Sequence, residues 1–176
     1  MIFEETKLAG LFVVRAEKHA DDRGFFARLW CAAEFASAGI GFAPVQISTS
    51  FNQRTGTLRG LHWQAAPHAE VKLVRATRGT IWDVAVDLRP DSSTRHRWFG
   101  IELDAAGYAA LLIPAGFAHG FITMSDDAEV LYCIDTPYVR EAARGARFDD
   151  SGPGIRWPRG PEVISEQDLN WPPLIP

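Results

Sequence analysis

Short apolar runs separated by turn residues follow one another along most of this chain. Three of them are consecutive, at residues 57–64, 71–76 and 80–88, and each has the length and the β-branched content of a strand. The intervening residues 65–68, which include a proline, and the Arg78–Gly79 pair are typical of turns. The central third of the chain therefore predicts three successive β-strands.

The same pattern continues on both sides of this central segment. Further strands are predicted at residues 8–16, 44–51, 98–103, 108–114, 116–124 and 129–138. A helix is predicted over residues 31–38, because that segment is rich in alanine and ends at glycines. Residues 139–171 lose the periodicity and predict an irregular tail, with one helical turn that Ser165 caps. We expect one all-β domain over residues 1–176, a sandwich or barrel with one or two short helices.

Composition and charge narrow the function classes. The chain has 176 residues, 47% hydrophobic and 23% charged, which are ordinary values for a globular protein. A net charge of -4 without any basic run gives no reason to expect nucleic acid as a partner. The N-terminal residues do not resemble a signal peptide, and no apolar run is long enough to cross a membrane. We therefore expect a cytoplasmic protein with no membrane partner.

Three polar side chains lie inside the central apolar strands. His62, Lys72 and Asp83 occupy positions where a plain core strand would have Val or Ile. Only three lysines accompany fifteen arginines, and Lys72 is the one far from the N-terminus. Lysine can release its proton and arginine cannot, so this choice is informative. Burying such groups without partners is costly, so three in one short segment predict a functional site.

A second histidine lies in a recognisable pattern. The segment PAGFAHG at residues 114–120 matches the P-x-G-x-x-H element of cupin barrels, which carries His119 into the barrel interior. A metal-binding cupin would also have H-x-H followed by an acidic residue on an earlier strand. Here that place reads His62-Trp63-Gln64, so one ligand is missing from the usual minimum of three. We expect a barrel without a metal.

The residues His62, Lys72 and Tyr132 suit one type of chemistry. A neutral histidine acts as a general base, and a lysine ammonium stabilises a developing oxyanion. Removing a proton next to a carbonyl also needs an acid that returns it, and Tyr132 in a predicted strand is a candidate. Taken singly, each residue is better explained by a packing role, whereas the combination favours a site.

Several long motifs make the chain resemble a known family, the dTDP-4-dehydrorhamnose 3,5-epimerases. The motifs are LRGLHWQ (58–64), KLVRA (72–76), DVAVDLR (83–89), IPAGFAHGF (113–121), DRGFF (22–26), I-x-W-P (155–158) and S-E-x-D (165–168). The resemblance implies a jelly-roll cupin barrel, a homodimer that exchanges N-terminal strands, and no metal or organic cofactor. It also implies an epimerase that inverts C3, C5 or both in a nucleotide-linked 4-keto-6-deoxy sugar.

The resemblance further implies a role for each matching residue. His62 would be the base, with Asp168 as its dyad partner, while Lys72 would stabilise the enolate and Tyr132 would reprotonate the opposite face. The pair of His119 and Asp83 would complete the catalytic set. The positions implied for binding the nucleotide sugar are Gln46, Ser48, Arg59 and Tyr138, with Arg23 and Phe26 supplied by the partner subunit.

Departures from the family pattern concern binding positions more than chemical ones. They are Arg28 for Glu, Ser48 for Asn, Ala143 for Glu, Gln167 for a basic residue, and Ser151 for Pro. Arg144 or Arg147 could replace in space the charge missing at Gln167. These changes leave open an epimerase that inverts one carbon only or acts on another nucleotide sugar. A sugar-nucleotide-binding cupin without turnover is the alternative from another class.

Overall fold

The computed structural model describes residues 1–174, which form thirteen strands and two short α-helices. The strands are β1 Ile2–Glu5, β2 Phe12–Arg15, β3 Lys18–Asp21, β4 Gly24–Ala27, β5 Gln46–Asn52, β6 Leu58–Gln64, β7 Lys72–Arg78, β8 Thr80–Asp87, β9 Trp98–Asp104, β10 Ala109–Ile113, β11 Phe117–Thr123, β12 Ala128–Ile134 and β13 Ala143–Gly145. The helices are α1 Ala32–Ser37 and α2 Glu166–Leu169. No helix among residues 1–174 is long and apolar enough to cross a membrane.

Two antiparallel sheets face each other and make up the body of the fold. One has six strands in the order β1-β2-β10-β7-β12-β5, and the other has five in the order β13-β6-β11-β8-β9. Apart from β1 with β2 and β8 with β9, strands that are neighbours in a sheet are distant in the sequence, as in a jelly roll. The prediction of an all-β jelly roll is confirmed, although the sheets form a sandwich and do not close into a barrel.

The main core lies between the two sheets, and side-chain alternation decides what enters it. On β7, Val74 and Ala76 point into this core, together with Val130 from β12 and Phe117 and Phe121 from β11. Because successive strand residues face opposite sides, every second residue on these strands points the same way. Polar residues in the inward series therefore project into the space between the sheets.

The outer faces are covered by α1 and by the tail. Phe35 of α1 is fully buried and packs with Phe42 against Leu73 on the outer face of the six-stranded sheet. Residues of the tail, including Ile155 and Trp157, pack on the outer face of the five-stranded sheet. These apolar anchors order a segment that has little secondary structure.

Several predicted boundaries were wrong for local reasons. The strand predicted over residues 8–16 is only Phe12–Arg15, because the chain turns at Gly10, which has a φ of 82°. The strand predicted to reach residue 138 ends at Ile134, beyond which the Asp135 carboxylate accepts a hydrogen bond from the Val71 N–H at 2.8 Å.

The strands β1 and β13 and the hairpin of β3 and β4 were missed. The hairpin's residues are exposed apart from Ala27, which is partly buried, so the hairpin lacks the alternation of apolar and polar residues that marks a half-buried strand. A polar turn at Asp22 and Arg23 joins its two strands. Backbone pairing between the two strands, rather than a buried face, defines this hairpin.

Candidate active site

A cavity of about 730 Å³ opens between the two sheets at one end of the sandwich. Most residues that the sequence singled out line it: Gln46, Ser48, Arg59, His62, Lys72, His119, Tyr132, Tyr138 and Asp168. They come from five different strands, one loop and α2, so only the folded chain brings them together. Asp83 lies behind His119, while Arg23 and Phe26 do not line the cavity of their own chain.

His62 and Asp168 form a close pair on one wall of this cavity. The Nε2 atom of His62 lies 2.6 Å from Oδ1 of Asp168, and the other carboxylate oxygen accepts a hydrogen bond from the Gly60 N–H at 3.3 Å. The Asp168 side chain is 6% exposed, whereas that of His62 is 43% exposed toward the cavity. Nδ1 of His62 makes no hydrogen bond to residues 1–174, so it is the ring nitrogen left to take up a proton.

The charge state of Asp168 follows from its surroundings. Burial by itself would raise the pKa of this carboxyl, but hydrogen bonds from His62, Gly60 and Ser165 outweigh it and hold the pKa below its ordinary value. Asp168 is therefore ionised at neutral pH. An ionised carboxylate on Nε2 orients the imidazole and stabilises the imidazolium that forms when the ring accepts a proton.

The tail brings Asp168 to His62 across a long stretch of sequence. Val163 makes a parallel bridge to Thr57, the residue just before β6, and its carbonyl accepts a hydrogen bond from the Leu58 N–H at 2.8 Å. Ser165 then caps α2 by accepting a hydrogen bond from the Asp168 N–H at 3.1 Å, which confirms the predicted cap. Attachment of the tail to β6 thus places the carboxylate beside the histidine of the same strand.

His119 and Asp83 form a second, fully buried pair. Nε2 of His119 lies 2.7 Å from Oδ1 of Asp83, and the side chains are 5% and 0% exposed. The ring of His119 also meets the ring of Tyr132 edge-on at 6.1 Å between centroids. The structure therefore brings this predicted pair together, deeper in the cavity wall than His62.

A close approach of two backbones sets His62 and His119 side by side. The two residues are directly opposite each other in the pairing of β6 with β11. On the same two strands, Gly60 (φ 117°) lies against Gly120, and a Cβ on Gly60 would be 2.6 Å from the Gly120 Cα. Two glycines are needed at this contact because any side chain would push the strands apart.

Lys72 and Tyr132 face His62 from the opposite sheet. Nζ of Lys72 lies 2.8 Å from Oε1 of Glu70, and the lysine side chain is only 11% exposed. The Tyr132 hydroxyl lies 3.4 Å from the Ser50 hydroxyl. Burial raises the pKa of Tyr132 well above its ordinary value, so this phenol keeps its proton at neutral pH and can donate it.

The predicted binding residues occupy the mouth and rim of the cavity. Arg59 is anchored by a hydrogen bond of its Nε to Oδ1 of Asn52 at 2.7 Å. Gln46 and Ser48 alternate along β5 with outward-facing Ile47, so both point into the cavity. Tyr138 is 63% exposed and remains accessible at the rim.

The hairpin residues lie elsewhere in this chain. Arg23 is exposed and pairs with Asp21, and Phe26 is 69% exposed at the surface. Arg28 bonds to Glu34 at 2.6 Å and lines a separate small cavity. The structure of one chain does not bring these three residues to the site.

The remaining departures from the family pattern are placed as follows. Ala143 and Gln167 line the cavity, so both positions can affect what it binds. Arg144 also lines it, whereas Arg147 bonds to Asp149 and does not. Of the two arginines considered as replacements for a charge at Gln167, only Arg144 is in place.

The cavity is also lined by Ser50, Glu70 and Trp171, to which the sequence assigned no role. Ser50 shares the inward face of β5 with Gln46 and Ser48, and the alternation could have identified it. Glu70 stands two residues before Lys72, which is the spacing of residues on the same face of an extended chain. Trp171 meets the His62 ring at 6.5 Å between centroids, a contact that depends on how the tail folds back.

The titratable side chains that line the cavity suit proton transfer. Among residues 1–174, no three His, Cys, Asp or Glu side chains are grouped so as to hold a metal ion. The cavity combines a histidine with a bonded carboxylate, a buried ammonium and a protonated phenol. These are the parts of a site that removes a proton next to a carbonyl and returns one elsewhere.

Comparisons with known proteins show the family to which the chain belongs. The family model described as dTDP-4-dehydrorhamnose 3,5-epimerase matches residues 5–175. A dTDP-4-dehydrorhamnose 3,5-epimerase of Sinorhizobium fredii is 40% identical over 179 residues, covering 99% of this chain and 90% of the relative.

Solved structures give the same picture. A dTDP-6-deoxy-D-glucose-3,5-epimerase from Legionella pneumophila, in complex with dTDP-4-keto-L-rhamnose, superposes with a TM-score of 0.92 at 33% identity, covering 99% of this chain and 94% of that one. A 3'-monoepimerase from Streptomyces bikiniensis, in complex with dTDP-quinovose, superposes with a TM-score of 0.87 at 29% identity, covering 96% and 85%. By the match over nearly its whole length, this chain belongs to the dTDP-4-dehydrorhamnose 3,5-epimerase family.

Proposed function

We propose that this protein epimerises a dTDP-linked 4-keto-6-deoxy sugar at C3, C5 or both, with His62 as the base. The observation that carries the proposal is the placement of His62 and Tyr132 on opposite sheets. His62 is on β6 of the five-stranded sheet, whereas Tyr132 and Lys72 are on β12 and β7 of the six-stranded sheet. A substrate between the sheets thus has a base on one side and an acid on the other, as inversion of a carbon requires.

The proposed step moves one proton off the sugar and another onto it. Nδ1 of His62 takes the proton from the carbon next to the C4 carbonyl, and the electron pair of that C–H bond moves into an enolate on the carbonyl oxygen. The Lys72 ammonium stabilises the enolate, and Asp168 stabilises the imidazolium. The Tyr132 hydroxyl then donates its proton to the opposite face of the same carbon, which inverts it.

We propose that the buried pair of His119 and Asp83 supports the wall of the cavity that carries His62. Arg59, Gln46, Ser48 and Tyr138 are the proposed contacts to the nucleotide diphosphate and the sugar. A guanidinium suits this task because its fork of donors matches phosphate oxygens. The relatives with dTDP-sugars bound support a nucleotide sugar as the ligand class.

Inversion of one carbon only is the second candidate. The likeness to a 3'-monoepimerase favours it, as do Ser48, Ala143 and Gln167, which line the cavity and depart from the family pattern. Losing a polar contact to a ligand typically costs on the order of 1–3 kcal/mol, enough to change how a sugar ring sits or which substrate is preferred. The exchange experiment below separates the two candidates.

A homodimer that exchanges N-terminal strands completes the proposal. Phe26 and Arg23 are exposed on the hairpin. On the edge strand β5, Ile47 is 66% exposed, and Val45, the residue before this strand, is 61% exposed. Large apolar side chains exposed in this number are typical of an interface. We propose that each hairpin supplies Arg23 and Phe26 to the partner's cavity, through an interface of roughly 2,000 Å² or more. The expected cytoplasmic location stays a prediction.

The test is proton NMR in D2O with dTDP-4-keto-6-deoxy-D-glucose. The wild-type protein should exchange the protons at C3, C5 or both, and the carbons that exchange distinguish the two candidates. His62→Asn should lower every exchange rate by at least ~10²-fold because the base is lost. His96→Asn is the matched control, since His96 lies outside the cavity with a φ of 63°, which asparagine tolerates. Exchange at the wild-type rate in His62→Asn would refute the proposed base.

A further inference from the structure

Lys72 does not stand alone in the cavity wall. Its ammonium lies 2.8 Å from Oε1 of Glu70 and 3.5 Å from the His62 carbonyl oxygen. The side chains of Lys72 and Glu70 are 11% and 8% exposed, so water hydrates and screens their charges only weakly. A buried pair of this kind is costly to break, because removing one charge leaves the other without compensation.

Gln64 holds the other side of the Glu70 carboxylate. Its Nε2 donates to Oε2 of Glu70 at 2.9 Å, and the same amide also reaches the carbonyls of His68 and Pro137 at 3.2 Å each. Its Oε1 accepts a hydrogen bond from the Val139 N–H at 2.6 Å. Gln64 is 3% exposed, so this amide is a buried junction with donors and acceptors both satisfied.

The junction connects two parts of the site. Through Glu70 it reaches Lys72, and through Pro137 and Val139 it clamps the backbone on both sides of Tyr138 at the cavity rim. Gln64 is also two residues from His62 on β6, which places it on the same face of that strand. It occupies the position at which a metal-binding cupin would have its second histidine.

We propose that Glu70 and Gln64 are positioning residues, which hold the Lys72 ammonium where the enolate oxygen develops and couple it to the Tyr138 segment. This inference rests on the proposed function for its kinetic readout. Lysine has a long flexible stem, and an ammonium that is already fixed needs no reorganisation when the enolate charge forms. Glu70 supplies the fixed partner, and Gln64 fixes Glu70.

The two residues should differ in which kinetic constant they control. Glu70→Gln keeps the shape of the side chain but removes its charge, so kcat should fall roughly 10- to 100-fold, less than the ~10²–10³-fold typical of deleting an oxyanion donor itself. KM should stay within about threefold, because the enolate exists only along the reaction path. Gln64→Leu should lower kcat in the same way and also raise KM, since the Tyr138 segment loses its clamp.

A double-mutant cycle with Lys72→Met tests whether Glu70 acts through Lys72. In the Lys72→Met background the Glu70→Gln change should have no further effect on kcat, because residues that act through one group are not additive. Glu129→Gln is the matched control: this carboxylate accepts a hydrogen bond from Thr77 at 2.6 Å but does not line the cavity. Its kcat and KM should equal those of the wild type.

A second measurement is independent of turnover. The chain has three lysines, so a 1H–15N spectrum of the lysine ammonium groups contains few signals, and Lys72→Met assigns the one of interest. A paired and buried ammonium should give a slowly exchanging signal in the wild type that Glu70→Gln broadens or removes, while Glu129→Gln leaves it unchanged.

The outcomes separate this inference from the proposed function. Suppose that the wild type exchanges sugar protons but Glu70→Gln has a wild-type kcat, or lowers kcat by the same factor in the Lys72→Met background as in the wild type. The positioning role is then refuted and the proposed function stands. If the wild type shows no exchange, the proposed function fails, and an unchanged ammonium signal in Glu70→Gln would also refute the positioning role. A lost signal together with a lowered kcat supports both.

Discussion

Replacing Asp168 by Asn should disable His62 without closing the cavity. The change is isosteric, and the Asn side-chain oxygen can still accept the hydrogen bond from the Gly60 N–H that Asp168 accepts at 3.3 Å. What is lost is the negative charge that lies 2.6 Å from Nε2 of His62. The amide nitrogen of Asn would instead donate to Nε2 and hold the ring with its proton on Nδ1, so that the base could not accept another.

The size of the effect follows from this distance and from exposure. At 2.6 Å and an effective dielectric constant of ~20, the attraction between an imidazolium and a carboxylate is about 6 kcal/mol, an upper bound. The His62 side chain is 43% exposed, so water screens part of this attraction. Measured hydrogen bonds to charged groups contribute about 1.5–3 kcal/mol. A barrier raised by about 3 kcal/mol slows the reaction roughly 10²-fold, and the wrong tautomer adds to this.

The assay is solvent exchange of the sugar protons at saturating substrate, with kcat and KM measured separately. Asp168→Asn should lower kcat by ~10²-fold or more and leave KM nearly unchanged, since the lost charge acts on the imidazolium. Asp150→Asn is the matched control, because Asp150 is also a buried acceptor in the tail but lies outside the cavity. A rate within about threefold of wild type in Asp168→Asn, or an equal loss in Asp150→Asn, would show that the carboxylate does not act on His62.

Three further predictions concern the acid, the strand contact and the pH dependence of stability. Tyr132→Phe should still remove a proton but fail to invert the carbon, so NMR should show exchange without epimer; normal inversion would make Tyr132 a packing residue. Gly120→Ala places a Cβ 2.9 Å from the Arg59 carbonyl oxygen and should destabilise the fold by roughly 1–3 kcal/mol, measured by thermal unfolding; an unchanged Tm would contradict the close approach. Burial would raise the pKa of Asp87, but hydrogen bonds from Arg89, Ser92 and Thr94 hold this pKa below the ordinary 3.8. The stability that the Asp87 carboxylate contributes is therefore complete above pH 3.8 and is lost as the pH falls below that value. Asp87→Asn should therefore flatten the acid limb of the stability curve, and a limb as steep as that of the wild type would exclude Asp87 as its source.

Much of the fold could be predicted from the sequence because strand alternation is local. The period of two that predicted β6, β7 and β8 also shows which of their residues share a face. His62, Lys72 and Asp83 stood out because a polar residue on an apolar face needs a reason, and all three do face the space between the sheets. The hairpin of β3 and β4 escaped because its residues bury almost nothing, so no alternation marks it.

Tertiary structure decided the partners of these residues. Asp168 is 106 residues from His62, and no local pattern pairs them; the resemblance to a family implied the pair, and the bridge from Val163 to β6 makes it. The placement of Tyr132 across the cavity from His62 likewise depends on which strands join which sheet. The sequence by itself determined which side chains turn inward, because that depends on neighbouring residues. Only the folded chain decided which of them meet, because register and sheet order depend on contacts between distant strands.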